Sequence, residues 1–226
     1  MNDGKELLHI TTGKQDVEAD KDMKIDSLFR IASQTKALTS VSVMMLKERG
    51  LINFTDPDSK YSPSFKKTSV LVVHKDKSYT EVPAVREITV HDLLPHSAGI
   101  SYGWGIIEDK WKEIGLHGWY FADKEQTMKQ ASAPLTTSPQ QAQPGSEFVY
   151  GHCTDLLGVI IESISGKSLK EFFETEITGP LGMIDTHFYI LQSKLSRLTA
   201  VYNATDSHIK RASDTKHSVC SHCLDH

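Results

Sequence analysis

Ser33 and Lys36 stand three residues apart in Phe29-Arg30-Ile31-Ala32-Ser33-Gln34-Thr35-Lys36-Ala37-Leu38-Thr39-Ser40. Residues three apart on a helix share a face, so a hydroxyl and an amine at this spacing can touch. A serine with an amine beside it carries its own base, as an acyl-serine enzyme requires. The spacing alone discriminates poorly, because it recurs at Ser64/Lys67, Ser207/Lys210 and Ser213/Lys216. Ser64 lies in a polar stretch without helical period, and Ser207 and Ser213 lie in a polar tail. Only Ser33 opens a long apolar segment, where Ala37, Leu38, Val41, Met44, Met45 and Leu46 are expected to form the buried stripe of a helix stopped by Gly50. The first turn of that helix is the positive end of its dipole, which favours an alkoxide. The competing reading makes Ser33 an ordinary N-cap and Lys36 a solvated charge.

Further segments tip this balance. Phe29 to Ser40 resembles the nucleophile segment of class C β-lactamases and their esterase relatives. Ile88-Thr89-Val90-His91-Asp92-Leu93-Leu94-Pro95-His96-Ser97-Ala98-Gly99-Ile100 resembles the helix and turn that those proteins place over the site. Pro144 to Gly158, with Tyr150-Gly151-His152 inside it, resembles the segment carrying their catalytic tyrosine, and Gly179-Pro180-Leu181-Gly182-Met183 resembles their next landmark. These landmarks occur in the family's order between about Leu7 and about Asp214. The resemblance implies the serine β-lactamase/penicillin-binding-protein fold, an α/β (α+β) architecture of antiparallel sheet plus helical lobe. A partial domain over 1–214 would hold its helical lobe at about 89–190. The same resemblance implies Ser33 as nucleophile, with Lys36 and Tyr150 as the proton-transfer pair.

Two departures shape the expected substrate. Class C β-lactamases carry Tyr-x-Asn where this chain has Tyr150-Gly151-His152. The spacing from Tyr150 to Gly158 looks more like the family VIII esterases and related acyltransferases. A carboxylesterase acting on short acyl esters is therefore the expectation, with a β-lactamase or acyltransferase as the alternative. The second departure is the family's third motif, Lys-Thr-Gly or a variant, which is not found after Tyr150; Ser165-Gly166-Lys167 is reversed. The C-terminal part of the sheet, one wall of the site and one oxyanion-hole amide are thus expected to be missing. A catalytically dead fragment or pseudoenzyme is the non-enzymatic alternative.

The chemistry sets requirements. A lysine near pKa ~10.4 is protonated at neutral pH and useless as a base. Burial and a neighbouring cation or dipole can bring it to roughly 7–8. A phenolate on Tyr150 beside an ammonium offers a second route, and the residues leave open which of the two is the base. His152 has three readings: a substrate contact in place of the asparagine, a group holding Lys36, or a cap for the helix starting near Thr154. Tyr102, Trp104, Trp111, Trp119, Tyr120 and Phe121 form an aromatic cluster after Gly99. Tyr102 and Trp104 are the expected acyl-pocket residues, whereas Trp111 and Phe121 read as core.

A rival nucleophile is Ser101, in the G-x-S-x-G match Gly99-Ile100-Ser101-Tyr102-Gly103. A lipase-type elbow needs a buried strand before the serine and a helix after it. Pro95 precedes this one, and Gly103 and Gly105 follow it. Near the end, His217, Cys220, Cys223 and His226 recur every three residues. They are a zinc-like set of residue types, yet they form one continuous run where zinc sites separate two ligand pairs by a loop. The run 215–226 reads instead as the scar of a truncated or frame-shifted reading frame, and neither a metal nor a cofactor is expected.

Composition bounds the rest. The 226 residues suffice for one buried core. A net charge of −4 argues against a nucleic-acid or membrane partner, which leaves a small-molecule ester or amide as the expected ligand. The polar start Met1-Asn2-Asp3-Gly4-Lys5-Glu6 lacks the apolar run of a signal peptide, and three cysteines make no disulfide framework. Leu7 to Thr12 reads as a strand turning at Gly13-Lys14. Leu51 to Lys67 reads as a loop, and Val70–Val73 with Tyr79–Val82 as a hairpin. Helices are expected from the Thr89/Asp92 capping box, over Glu108–Gly115 and Lys124–Ala131, over Thr154–Ser165 with Gly166 as its stop, and after the Ser168/Glu171 capping box.

Overall fold

The computed structural model describes residues 5–76, 78–116, 127–205 and 208–212. They fall into two compact units, the described parts of 1–32 with 185–226, and 33–184. The smaller unit carries two antiparallel hairpins, β1 (Lys14–Asp16) with β2 (Lys21–Asp22), and a second near its C-terminal end. Polar ties hold it. Gln15 is buried and donates to the Ser196 and Leu198 carbonyls at 3.0 and 3.2 Å. The guanidinium of Arg197 grips both oxygens of Asp185. Leu7 to Thr12 is not a strand. Among the described residues no strand pairs with it, and Leu7, Leu8 and Ile10 are exposed. Alternating apolar residues make a strand only where a ladder partner and a surface to bury against exist.

The larger unit is built around two helices, α1 (Thr35–Glu48) and, further along, one that is buried on nearly every side. Between them lie the hairpin β3 (Ser69–Val73) with β4 (Tyr79–Pro83), α2 (Val90–Leu93), α3 (Glu108–Glu113) and α4 (Met128–Ser132). The central helix is α5 (Cys153–Ser165), with Cys153 and every residue from Leu156 to Ile161 buried. Only Ser163 of this helix is exposed, so it organises a core. It ends at Gly166, whose φ of +67° is the left-handed conformation of a C-terminal cap. α6 (Leu169–Phe173) follows, started by the Ser168/Glu171 capping box. Its Leu169 approaches so closely that a methyl on Gly158 would meet it at 3.3 Å. β5 (Tyr202–Ala204) and β6 (Ile209–Arg211) are the second hairpin of the smaller unit.

The stripe of α1 differs from the expected one. Its buried residues are Thr39, Ser42, Val43 and Leu46, spaced i, i+3, i+4, i+7, and this face packs on α5. Ala37, Val41 and Met44 are exposed, and Leu38 and Met45 are half-buried. Thr39 and Ser42 can be buried because each hydroxyl donates to the carbonyl four residues back, at 3.1 and 2.9 Å. The 51–67 stretch likewise contributes core: Ile52 and Phe65 are buried.

The turn after α2 is laced to the segment before α5. Arg86 makes a two-pronged contact of 2.6 and 2.8 Å with Asp92, which also accepts the Thr89 N–H and hydroxyl. Burial pushes the Asp92 carboxyl up, but these donors outweigh it and hold the group below its ordinary value. From that anchor the chain turns through His96, Ser97 and Gly99. Their carbonyls accept N–H groups of Val149, Gly145 and Gln141 at 2.8, 2.7 and 2.8 Å. Gly99 has φ +80°, and a Cβ there would lie 2.1 Å from the Ala142 carbonyl oxygen. Only glycine fits that approach.

One buried group fits poorly. Asp58 is fully buried beneath this unit's surface, and neither of its carboxylate oxygens has a hydrogen-bond partner. Burial pushes its pKa up to about 7.

Candidate active site

Ser33 sits in a short 3-10 turn, Ala32–Gln34, that feeds α1, and the residue before it, Ala32, has φ +43°. Lys36 lies in the first turn of α1. The Lys36 ammonium donates to Ser33 Oγ at 3.2 Å, and Ser33 Oγ is 3.1 Å from the Tyr150 hydroxyl. Three groups that are 117 residues apart at the extremes therefore meet at one oxygen. Lys36 Nζ also lies 5.1 Å from the centre of the Tyr150 ring.

The electrostatics of the two partners diverge. Desolvation is the largest influence on Lys36 and lowers its pKa, but interactions with the hydroxyls of Tyr150 and Tyr102 outweigh it and leave the ammonium above its ordinary value. The depressed lysine anticipated above is therefore not what this arrangement produces. Tyr150 moves the other way: its hydrogen bond with Ser33, then its contact with Lys36, hold the phenol below its ordinary value.

Tyr102 is buried and forms a wall behind this group. Its ring lies 5.5 Å from Tyr150, 5.5 Å from Trp104 and 4.5 Å, edge-on, from His152. Trp104 is 48 % exposed and stands at the rim. His152 is only 1 % exposed. It makes no capping hydrogen bond at the start of α5, so the capping role fails. Its Nδ1 pairs with Asp155 at 3.2 Å and its ring lies parallel to Trp111. His152 is thus enclosed between the Tyr102 and Trp111 rings. Trp111 is core, with its indole N–H donating to the Pro139 carbonyl. Trp119, Tyr120 and Phe121 lie outside the described residues, as do His217, Cys220, Cys223 and His226.

Ser101 does not form an elbow. Its Oγ is buried and accepts the Gly103 N–H at 2.8 Å, and no α-helix follows directly. His96, in the turn that follows α2, packs 4.9 Å from the Tyr150 ring, and no spacing in the sequence singles it out. Cys153, at the start of α5, is buried and its thiol is pushed up to about 12. Among the described residues no group of three or more His, Cys, Asp or Glu could hold a metal ion.

The seat of Tyr150 depends on its neighbour. A Cβ on Gly151 would lie 2.2 Å from the Ile100 carbonyl oxygen and 2.5 Å from Ser101 Cα. Backbone atoms cannot yield, so Gly151→Ala should force the Tyr150 segment off the 100–101 turn. A stability loss of about 1–3 kcal/mol is expected. Urea unfolding measures it, and an unchanged midpoint would refute the contact.

A hairpin-bearing unit and a helical unit with Ser, Lys and Tyr converging on one oxygen define the architecture of the serine β-lactamases and penicillin-binding proteins. The family model described as beta-lactamase matches residues 1–219, and the chain belongs to that family. It is 32 % identical to Protein Rv1367c of Mycobacterium tuberculosis over 197 residues, 84 % of this chain and 46 % of the relative. It is 31 % identical to esterase EstB of Burkholderia gladioli over 190 residues, 82 % of this chain and 44 % of the relative. The solved structure of EstCE1, described as a hydrolase with promiscuous acyltransferase activity, superposes with a TM-score of 0.74 at 26 % identity, covering 90 % of this chain and 50 % of that one. The chain spans about half the length of the relatives it matches. The family is one of serine hydrolases with esterase and acyltransferase members.

Proposed function

We propose that the protein is a carboxylesterase that cleaves short acyl esters through an acyl-enzyme on Ser33. The observation that carries this is the meeting of Lys36 Nζ and Tyr150 Oη at Ser33 Oγ, 3.2 and 3.1 Å away. A serine hydroxyl needs a base within hydrogen-bond reach, and both candidates are in reach. The opposite pKa directions of the pair favour Tyr150 as that base, with Lys36 kept as the ammonium that stabilises its phenolate.

In this mechanism the Tyr150 phenolate takes the Ser33 proton as Oγ attacks the ester carbonyl. The tetrahedral intermediate collapses, the C–O bond to the alcohol breaks, and Tyr150 returns the proton to the leaving alkoxide. Water then attacks the acyl-enzyme, giving its proton to Tyr150, and the acid leaves as Ser33 is reprotonated. An alcohol in place of that water yields a new ester, which is acyl transfer. Tyr102 and Trp104 would line the acyl side of the site, consistent with their ring-to-ring contact.

The names of EstB and EstCE1 support ester chemistry over lactam chemistry, as does His152 in place of asparagine. The test is acylation by a fluorophosphonate, with turnover of p-nitrophenyl acetate and butyrate beside a chromogenic cephalosporin. Label on the Ser33 peptide and ester turnover abolished by Ser33→Ala are expected, with cephalosporin turnover slower or absent. Label on Ser101 would overturn the nucleophile. Efficient Ser33-dependent cephalosporin hydrolysis would overturn the substrate class.

A further inference from the structure

We propose that His96 is the positioning residue for Tyr150, gripping the backbone on both sides of it and backing its ring. The proposal rests on Tyr150 as the base of Ser33. The His96 carbonyl accepts the Val149 N–H at 2.8 Å, one residue before Tyr150. The His96 ring nitrogen Nδ1 accepts the Gly151 N–H at 3.4 Å, one residue after it. The imidazole lies 4.9 Å from the Tyr150 ring, and on its far edge Nε2 is 3.5 Å from the Thr154 hydroxyl of α5. Because Nδ1 accepts, the ring proton sits on Nε2 and points to Thr154, a tautomer assigned from the partners.

The backbone gives the second, independent observation. His96 has φ +57°, uncommon for any residue but glycine, although histidine is among the side chains that adopt it more readily. That left-handed turn lets one residue aim its carbonyl and its imidazole at the same strand of chain. Strain of this kind persists where surrounding structure over-determines it, and such positions cluster at functional sites. The grip requires a neutral imidazole, since a protonated Nδ1 is a donor and cannot accept. Burial, then the nearby Lys36 charge, keep His96 below its ordinary value, with Asp155 opposing. An imidazolium would also place a second cation beside Lys36 and Tyr150.

The test uses the full chain carrying 13C at the tyrosine Cζ, with the Tyr150 resonance assigned through Tyr150→Phe. His96→Gly removes the imidazole and relieves the left-handed strain, so it should fold. His96→Asn tolerates the same backbone conformation and offers an acceptor oxygen. In His96→Gly the Tyr150 titration should move up towards that of an ordinary phenol, and Ser33 labelling by fluorophosphonate should slow tenfold or more. His96→Asn should restore much of both. An unchanged Tyr150 titration in folded His96→Gly overturns the proposal. Absence of Ser33 labelling in the unmodified protein would instead overturn the hydrolase reading, since the Tyr150 titration reports the grip without any turnover.

Discussion

Asp58→Val should stabilise the protein, and the gain should grow as pH rises. The carboxyl of Asp58 is buried with no partner for either oxygen, and burial pushes its pKa up to about 7 from an ordinary 3.8. The folded state therefore holds the proton more tightly than the unfolded chain. Stability is fully present below about pH 4, falls as the pH rises towards 7, and is lost by that amount above it. A shift of about three pH units corresponds to ~4 kcal/mol between the two ends. Valine removes the ionisable group and adds apolar contact, while Asp58→Asn keeps the shape and removes only the titration. Urea unfolding at pH 5 and pH 8 separates these effects. The difference between Asp58→Asn and the unsubstituted protein should widen at pH 8; an equal difference at both pH values would show that Asp58 does not titrate in the fold.

Lys36→Ala and Tyr150→Phe should each slow acylation of Ser33 by a hundredfold or more, on the order of a general base's contribution. Both groups touch the same oxygen, and each lowers the cost of the other's charge: Lys36 steadies the phenolate, and Tyr150 holds the ammonium. Residues that act as a unit are not additive. The double variant should therefore be scarcely slower than either single one. Tyr150→Phe also keeps the ring against His96 and Tyr102, so its fold should be preserved. Full acylation rate in folded Tyr150→Phe would make the phenol structural and leave Lys36 as the base. Multiplicative losses in the double variant would show two independent contributions.

Much of the helical unit was legible because its signals are local. The Thr89/Asp92 and Ser168/Glu171 capping boxes close on their own backbone within one turn, and Gly166 stops α5 by its own φ. The Thr127/Gln130 box that starts α4 carries the same signal and was passed over. The stripe of α1 was misread because hydropathy ranks Thr39 and Ser42 as surface residues. Their back-bonded hydroxyls remove that penalty, whereas Val41 and Met44 face outward. The N-terminal strand failed because pairing is non-local: nothing in Leu7 to Thr12 tells whether a neighbour will come. At the site, the spacing of Ser33 and Lys36 was readable from helix geometry. Their meeting with Tyr150 was expected only through resemblance. The role proposed for His96 depends on a left-handed φ and on two N–H groups more than fifty residues away, neither of which composition or periodicity encodes.

The three rungs joining His96, Ser97 and Gly99 to Val149, Gly145 and Gln141 have a mechanical meaning. Their donors fall every four residues along a non-helical stretch, while their acceptors crowd into four positions of one turn. A chain pinned in this way has no slack to swing. With Gly99 pressed on Ala142 and Gly151 pressed on Ile100, the strap carrying Tyr150 moves with the turn as one stiff arm. An arriving ester would meet a phenol already parked beside Ser33, so little freedom would remain to be frozen on binding. Among the described rings, the half-exposed ring of Trp104 touches this arm only through Tyr102.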